Sequence, residues 1–315
     1  MLLCAGYEDF MRLLLAAPRG FCAGVEMAIK ALNLMLERFG PPVYCYHQVV
    51  HNHTVVAEFV QRGVVFVDSV EQVPNGARLA FSAHGVAPQI RAEAAQRSID
   101  VVDLSCPLVQ KVHQEARNFA REDRTIALIG HRGHDEVMGV MGEAPGKIVL
   151  IENIEHIRAL NFDGNLRFAY LTQTTLSIDE TRDIVHELKR RVPDIVGPSS
   201  QDICYATQNR QDAIRQLARA ADLVLVVGSA NSSNTVNLAE AAHQEGKPSY
   251  RIADVSEIRM EWLDQVETVA LTSGASVPET IVQEVVSYFR DRWHAQVEEH
   301  IVKKENMHFA LPAGL

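Results

Sequence analysis

The sequence predicts an α/β protein with largely parallel sheets, assembled from three related units. Three observations carry that expectation. Short Val/Ile/Leu runs alternate with longer segments of helical periodicity. No Pro/Ser-rich linker or low-complexity block divides the 315 residues. One local pattern, a cysteine directly ahead of a helix, recurs three times. With 47% hydrophobic and 22% charged residues, the composition is that of a folded globular chain and excludes disordered, collagen-like and coiled-coil readings.

Strand-sized apolar runs stand at 13–17, 43–46, 79–82, 125–129, 148–151, 168–172, 223–227 and 269–272. Ala28 to Arg38, Pro107 to Arg121, Ile178 to Arg191, Asn209 to Ala221 and Pro278 to Arg292 show helical periodicity with charged outer faces, so strands feed helices. No apolar run reaches the ~18 residues of a membrane span, and Glu8 and Asp9 interrupt the N-terminus where a secretion signal wants apolar residues. Five cysteines, an odd number in a long chain, do not suit a secreted disulfide framework, and a cytoplasmic location is expected. Thirty Lys+Arg against 40 Asp+Glu leave a net charge of -10, which argues against nucleic acid and leaves room for a local pocket that binds a small anion.

The repeat has three parts. Cys22, Cys106 and Cys204 lie 84 and 98 residues apart, each just before a helix. Some 28 or 29 residues beyond each comes a strand-to-turn element carrying His51, His134 and Ser232 as counterparts. A third element follows another apolar strand: Ser82-Ala83-His84-Gly85, Thr172-Gln173-Thr174-Thr175 and Thr272-Ser273-Gly274-Ala275-Ser276. In open α/β sheets such strand-to-helix loops form the ligand crevice. About an approximate threefold axis, the three thiols would meet at its centre.

Three converging thiols fit a zinc site, an iron-sulfur site or a coincidence of buried cysteines; one cysteine alone would be ordinary packing. No CxxC pair of the structural-zinc kind is present, which favours iron-sulfur, and three ligands on a four-iron cluster leave one iron open. Cys4 and Cys45 have no repeat partners and read as structural. His51, His84, His134, Ser232, Ser233, Asn234 and Ser276 would supply hydrogen bonds to phosphate oxygens, although a lone Ser at a strand end is often only a helix cap. Glu136 is the single carboxylate at its repeat position and suits a proton donor, with Thr174 as relay; the plain alternative is a charge favourable to a helix N-terminus. His53 and His131 stay unassigned.

The motifs PRGFCAG, VVHN, FSAHGV, CPLV, TQTTLS, DICYAT and NSSN, in this order between about Leu13 and Arg290, resemble the 4-hydroxy-3-methylbut-2-enyl diphosphate reductase (LytB) family. The resemblance implies a trefoil of three α/β domains around a 4Fe-4S cluster held by Cys22, Cys106 and Cys204, with the fourth iron open to substrate. It implies that His51, His84, Ser232, Ser233, Asn234 and Ser276 hold a diphosphate. His134, Thr174 and Glu136 would surround the substrate hydroxyl, with Glu136 as proton donor. The implied reaction is reductive dehydration of an allylic diphosphate to isopentenyl and dimethylallyl diphosphates, with electrons from ferredoxin or flavodoxin. Domains are expected at 24–105, 106–203 and 204–292, the last with a strand from 11–23, and 1–10 and 293–315 are expected to be peripheral extensions. A cluster-bearing sensor and a zinc-dependent hydrolase are the competing readings; a sensor would need the cysteines but not Glu136 or Thr174.

Overall fold

Each apolar run read as a strand folds as one, because Val, Ile and Leu buried on both faces suit the centre of a parallel sheet. The computed structural model describes residues 11–160 and 167–315. Its strands are β1 Arg12–Ala17, β2 Val43–Tyr46, β3 Val64–Val67, β4 Arg78–Phe81, β5 Asp100–Asp103 and β6 Arg124–Ile129. They continue with β7 Ile148–Ile151, β8 Arg167–Thr172, β9 Leu223–Val227, β10 Ser249–Ile252, β11 Thr268–Ser273 and β12 Gln296–Ile301. The helices are α1 Ala23–Phe39, α2 His53–Gln61, α3 Pro88–Gln96, α4 Pro107–Arg121 and α5 Asp135–Met141. After them come α6 Ile154–Ala159, α7 Ile178–Arg191, α8 Tyr205–Ala218, α9 Ser233–Gln244 and α10 Glu279–Trp293.

The strands form three all-parallel sheets, ordered β3-β2-β4-β5, β7-β6-β8 and β10-β9-β11-β1-β12. One topology recurs in all three. Within each repeat a first strand (β2, β6, β9) is followed by a neighbour on one side (β3, β7, β10) and then by a third strand on the other (β4, β8, β11). The chain therefore reverses direction across the sheet between first and third strands, and a crevice opens at their carboxyl ends. A fourth position flanks the third strand: β5 beside β4, β1 beside β11, and Val196, bridged in parallel to Ala169, beside β8. From that fourth position the chain runs into Cys106, Cys22 and Cys204 respectively.

The chain packs as two compact units. One takes the described part of Met1–Phe21 with Gln208–Asn306; the other takes Cys22–Thr207 with Met307–Leu315. In the first, alternate residues of β1 point to opposite faces: Leu13 and Leu15 join Ile281, Val285 and Phe289 of α10, while Leu14 and Ala16 join Ile214 and Leu217 of α8 and Leu238 of α9. In the second, α4 and α5 cover one face of the β6 sheet and α6 and α7 the other. His113 of α4 fastens this unit internally. Its ring is buried against Gly85 and Gly139, where an added Cβ would come within 2.7 and 3.1 Å of it, and its Nδ1 lies 2.7 Å from Glu143.

The expectation that 293–315 is peripheral needs correction. Within it, β12 pairs with β1 from Arg12↔Gln296 to Ala17↔Ile301. Glu305 lies 3.2 Å from Nη1 of Arg210, a guanidinium with no exposed surface that also donates to the Gly20 carbonyl at 2.8 Å. A buried cation needs a counter-charge, and this segment supplies it. The expectation for 1–10 lies outside the described residues.

Candidate active site

Helix starts set the three cysteines. Cys22 and Cys106 are the N-cap residues of α1 and α4, and Cys204 directly precedes α8. Backbone N–H groups at such positions favour a thiolate. The Cys106 N–H donates to the Ala83 carbonyl (3.0 Å) and the Cys204 N–H to the Thr174 carbonyl (2.9 Å), so each is tied to a third-strand loop of its own sheet. Gly24 leaves no room beside them: a Cβ there would sit 2.6 Å from Cys106 Sγ and 3.9 Å from Cys22 Sγ. Burial, and then the neighbouring Cys22, push the Cys106 thiol up to about 12 and the Cys204 thiol up to about 11.

Mutually destabilised thiolates at helix starts are a donor set that bound cations would relieve, with release of the thiol protons. Thiols sharing one zinc through bonds of about 2.3 Å would stand within about 4 Å of one another. Among the described residues, the donors drawn within 4.8 Å of each other are His51, His84 and Asp135. Cys45 is buried in β2 with its thiol pushed far up by burial, a structural cysteine.

Glu136 sits in the first turn of α5, 2% exposed. Thr174 grips both of its oxygens: the backbone N–H donates to Oε1 at 2.7 Å and the hydroxyl to Oε2 at 3.0 Å. Burial outweighs these bonds and pushes the carboxyl up to about 7. Its charge in turn helps push the Cys204 thiol up, so acid and thiol are electrostatic neighbours. His134 caps α5, its Nδ1 accepting from the Glu136 N–H at 3.2 Å, which places the ring proton on Nε2. Burial holds His134 down at about 4, so it is a neutral donor.

His51 and His84, on the loops after β2 and β4, stack with ring centroids 4.0 Å apart and planes 15° from parallel, and His134 meets both edge-on. Burial lowers the basicity of both His51 and His84. Near-parallel planes do not intersect within bonding reach, so one metal ion cannot lie in both ring planes as imidazole coordination requires. Two N–H groups side by side suit the oxygens of an anion instead.

In the other unit, Ser232 caps α9, Ser233 and Asn234 stand in its first turn, and Ser276 stands on the loop after β11. Asn234 is 3% exposed, yet among the described residues neither amide atom has a hydrogen-bond partner. Such a group costs stability unless a ligand uses it. Gly228 and Gly274 let the two loops close on this turn, since a Cβ on either would reach within 2.6 and 2.2 Å of Thr235 Oγ1.

Three groups escaped the sequence reading. Asp135, beside Glu136, holds His47 through a 2.7 Å contact to Nδ1 and faces His51 and His84. Asp202, pushed up to about 6 by burial, takes Lys111 Nζ at 2.8 Å and the Thr172 N–H at 3.0 Å and so anchors the Cys204 loop. Arg210 and Glu305 form the buried pair described above. Asp202 stands inside the DICYAT motif and could have been noticed there; the other pairings join residues far apart in sequence. His53 opens α2, and His131 is exposed.

Three parallel sheets with thiols at helix starts and a buried, near-neutral acid beside them make up an α/β protein whose thiols are candidate ligands of a metal centre. The family described as LytB protein matches residues 13–290. The 4-hydroxy-3-methylbut-2-enyl diphosphate reductase of Leifsonia xyli subsp. xyli is 52% identical, the alignment covering 96% of this chain and 90% of that one. That of Rhodopirellula baltica is 47% identical over 97% of this chain and 96% of its own. The solved E-1-hydroxy-2-methyl-but-2-enyl-4-diphosphate reductase of Plasmodium falciparum superposes with a TM-score of 0.93 at 37% identity, covering 96% of each chain. The chain belongs to the LytB family and is an oxidoreductase. Among the described residues, no helix is long and apolar enough to cross a membrane.

Proposed function

We propose that the chain reduces 4-hydroxy-3-methylbut-2-enyl diphosphate to isopentenyl and dimethylallyl diphosphates, the last step of the methylerythritol phosphate route to isoprenoids. The observation that carries this reading is the Glu136 carboxyl, buried, gripped by Thr174, poised at about 7 and electrostatically coupled to a thiol of the cysteine trio. An acid tuned to neutrality can give up a proton at working pH.

Cys22, Cys106 and Cys204 would hold a 4Fe-4S cluster, which when bound would relay the donor's electrons one at a time and offer an open iron to the hydroxyl. His51 and His84, with Ser232, Ser233, Asn234 and Ser276 in the same role, bind the diphosphate and thereby fix the position of the alcohol. Glu136 delivers a proton to the hydroxyl, which leaves as water, and the Thr174 hydroxyl orients that transfer. His134 donates through Nε2 to the substrate. Two electrons and two protons in all convert the allylic alcohol into an alkene diphosphate and water. Ferredoxin or flavodoxin is the proposed electron donor.

Anaerobic iron and sulfide analysis, combined with oxidation of reduced viologen by the diphosphate substrate, tests the reading. Iron near four per chain with substrate-dependent dye oxidation is expected. Cluster without turnover would move the function to an iron or redox sensor, and absence of iron after reconstitution would sink both readings.

A further inference from the structure

The diphosphate reading gives His51 and His84 a task but does not say what keeps two stacked, buried imidazoles ready for an anion. Each ring lies within reach of the same carboxylate oxygen: Asp135 Oδ2 is 3.9 Å from His51 Nε2 and 3.8 Å from His84 Nδ1. The other oxygen, Oδ1, is clamped at 2.7 Å by Nδ1 of His47. His47 is itself fixed, adopting a left-handed φ of 58° and stacking on Tyr46 with centroids 4.2 Å apart. Three segments thus meet at one carboxylate: the β2–α2 loop through His47 and His51, the loop after β4 through His84, and the start of α5. At these distances the carboxylate acts on both rings as a shared negative charge and not through hydrogen bonds.

We propose that Asp135, clamped by His47, is a positioning residue for the His51–His84 pair, lying near both rings as their shared counter-charge so that the pair gains charge when a diphosphate binds. This rests on the diphosphate reading above. A carboxylate near an imidazole stabilises its protonated form, while burial and the neighbouring ring oppose it. Burial also opposes ionisation of Asp135 itself, but the His47 contact and the imidazoles outweigh it and hold its carboxyl down at about 2, so the counter-charge is present throughout the neutral range. His47 is raised, first by its Asp135 contact, and Asp68 adds to that. The remaining titratable neighbours are His134, which Asp135 raises slightly against burial and His51, and His131, which acts on His134. Diphosphate affinity therefore weakens as pH rises through the bound-state value of the pair, and removing Asp135 moves that weakening to lower pH.

The test is Asp135→Asn in the cluster-loaded enzyme, with KM for the diphosphate substrate, inhibition by inorganic pyrophosphate, and both against pH. KM and the pyrophosphate inhibition constant should rise about 10-fold at neutral pH, as for one weakened charge-assisted contact, with kcat within about two-fold. The pH at which affinity falls should move down by about one pH unit. His47→Gln should show the same changes in smaller measure. His84→Gln serves as the control for the underlying reading. If it raises KM while Asp135→Asn leaves KM and its pH dependence unmoved, the positioning role is overturned and diphosphate binding stands. If His84→Gln leaves KM unchanged, the diphosphate assignment fails and the role of Asp135 fails with it.

Discussion

Replacing Glu136 by Gln isolates the buried acid from every other group. Gln keeps the shape and can still accept from the Thr174 N–H at the Oε1 position, but it does not titrate. In the wild-type protein burial raises the carboxyl from 4.5 to about 7. Between those values the unfolded chain ionises this group while the folded protein keeps it protonated, so the folded state binds more protons and its stability falls as pH rises. At about 1.36 kcal/mol for each factor of ten in proton affinity, the loss is about 3 kcal/mol and is complete once pH exceeds about 7. The variant should lack it. Denaturant unfolding of cluster-free wild type and Glu136→Gln from pH 4.5 to 8 should give curves that diverge by about that amount, the variant being relatively more stable at high pH. Asp135, whose carboxyl is held low, contributes acid sensitivity of the opposite sign but equally to both proteins, and it cancels. Parallel curves would refute the burial argument for Glu136. In the loaded enzyme the same variant should lose about 100-fold or more in turnover, the scale of lost acid catalysis, while retaining its iron.

Other outcomes follow from the packing. Cys106→Ser should lower iron per chain and weaken thermal stability through loss of the bound cluster, measured by iron analysis and thermal unfolding under anaerobic conditions. Gly24→Ala should cost iron as well although it removes no ligand, because its Cβ would sit 2.6 Å from Cys106 Sγ; unchanged iron would show that the thiol can move aside. Glu305→Ala should destabilise the protein by about 1.5–3 kcal/mol, the scale of a hydrogen bond to a charged group, since it removes a carboxylate 3.2 Å from the buried Arg210 guanidinium, and a denaturant midpoint equal to wild type would contradict that pairing.

Long apolar runs and strongly amphipathic helices were legible from residue order, because burial on two faces or on one face imposes its own periodicity. Pro107–Arg121 and Ile178–Arg191 fold within their expected bounds, and β2, β7 and β9 run over the expected residues. The elements that escaped are those with weak internal signals. β12, Gln-Val-Glu-Glu-His-Ile, lies at a sheet edge where only part of each side chain is covered, so its polar residues hide the strand. α5 is seven residues long with a glycine inside, and α9 begins in a Ser/Asn-rich turn.

The candidate site divides along the same line. The sequence alone determined the repeat, since cysteines and strand-end polar residues recur at nearly constant spacing, and spacing along a chain survives without coordinates. It likewise singled out Glu136 as the one acid in a repeated position. Only the tertiary structure decided how proton affinity is distributed. Thr174 on Glu136, His47 on Asp135, Lys111 on Asp202 and Glu305 on Arg210 are each contacts between different loops, helices or strands. The charge state of a buried group depends on which partners and how little water surround it. That environment comes into being when separate elements pack, and no local pattern of residues encodes it.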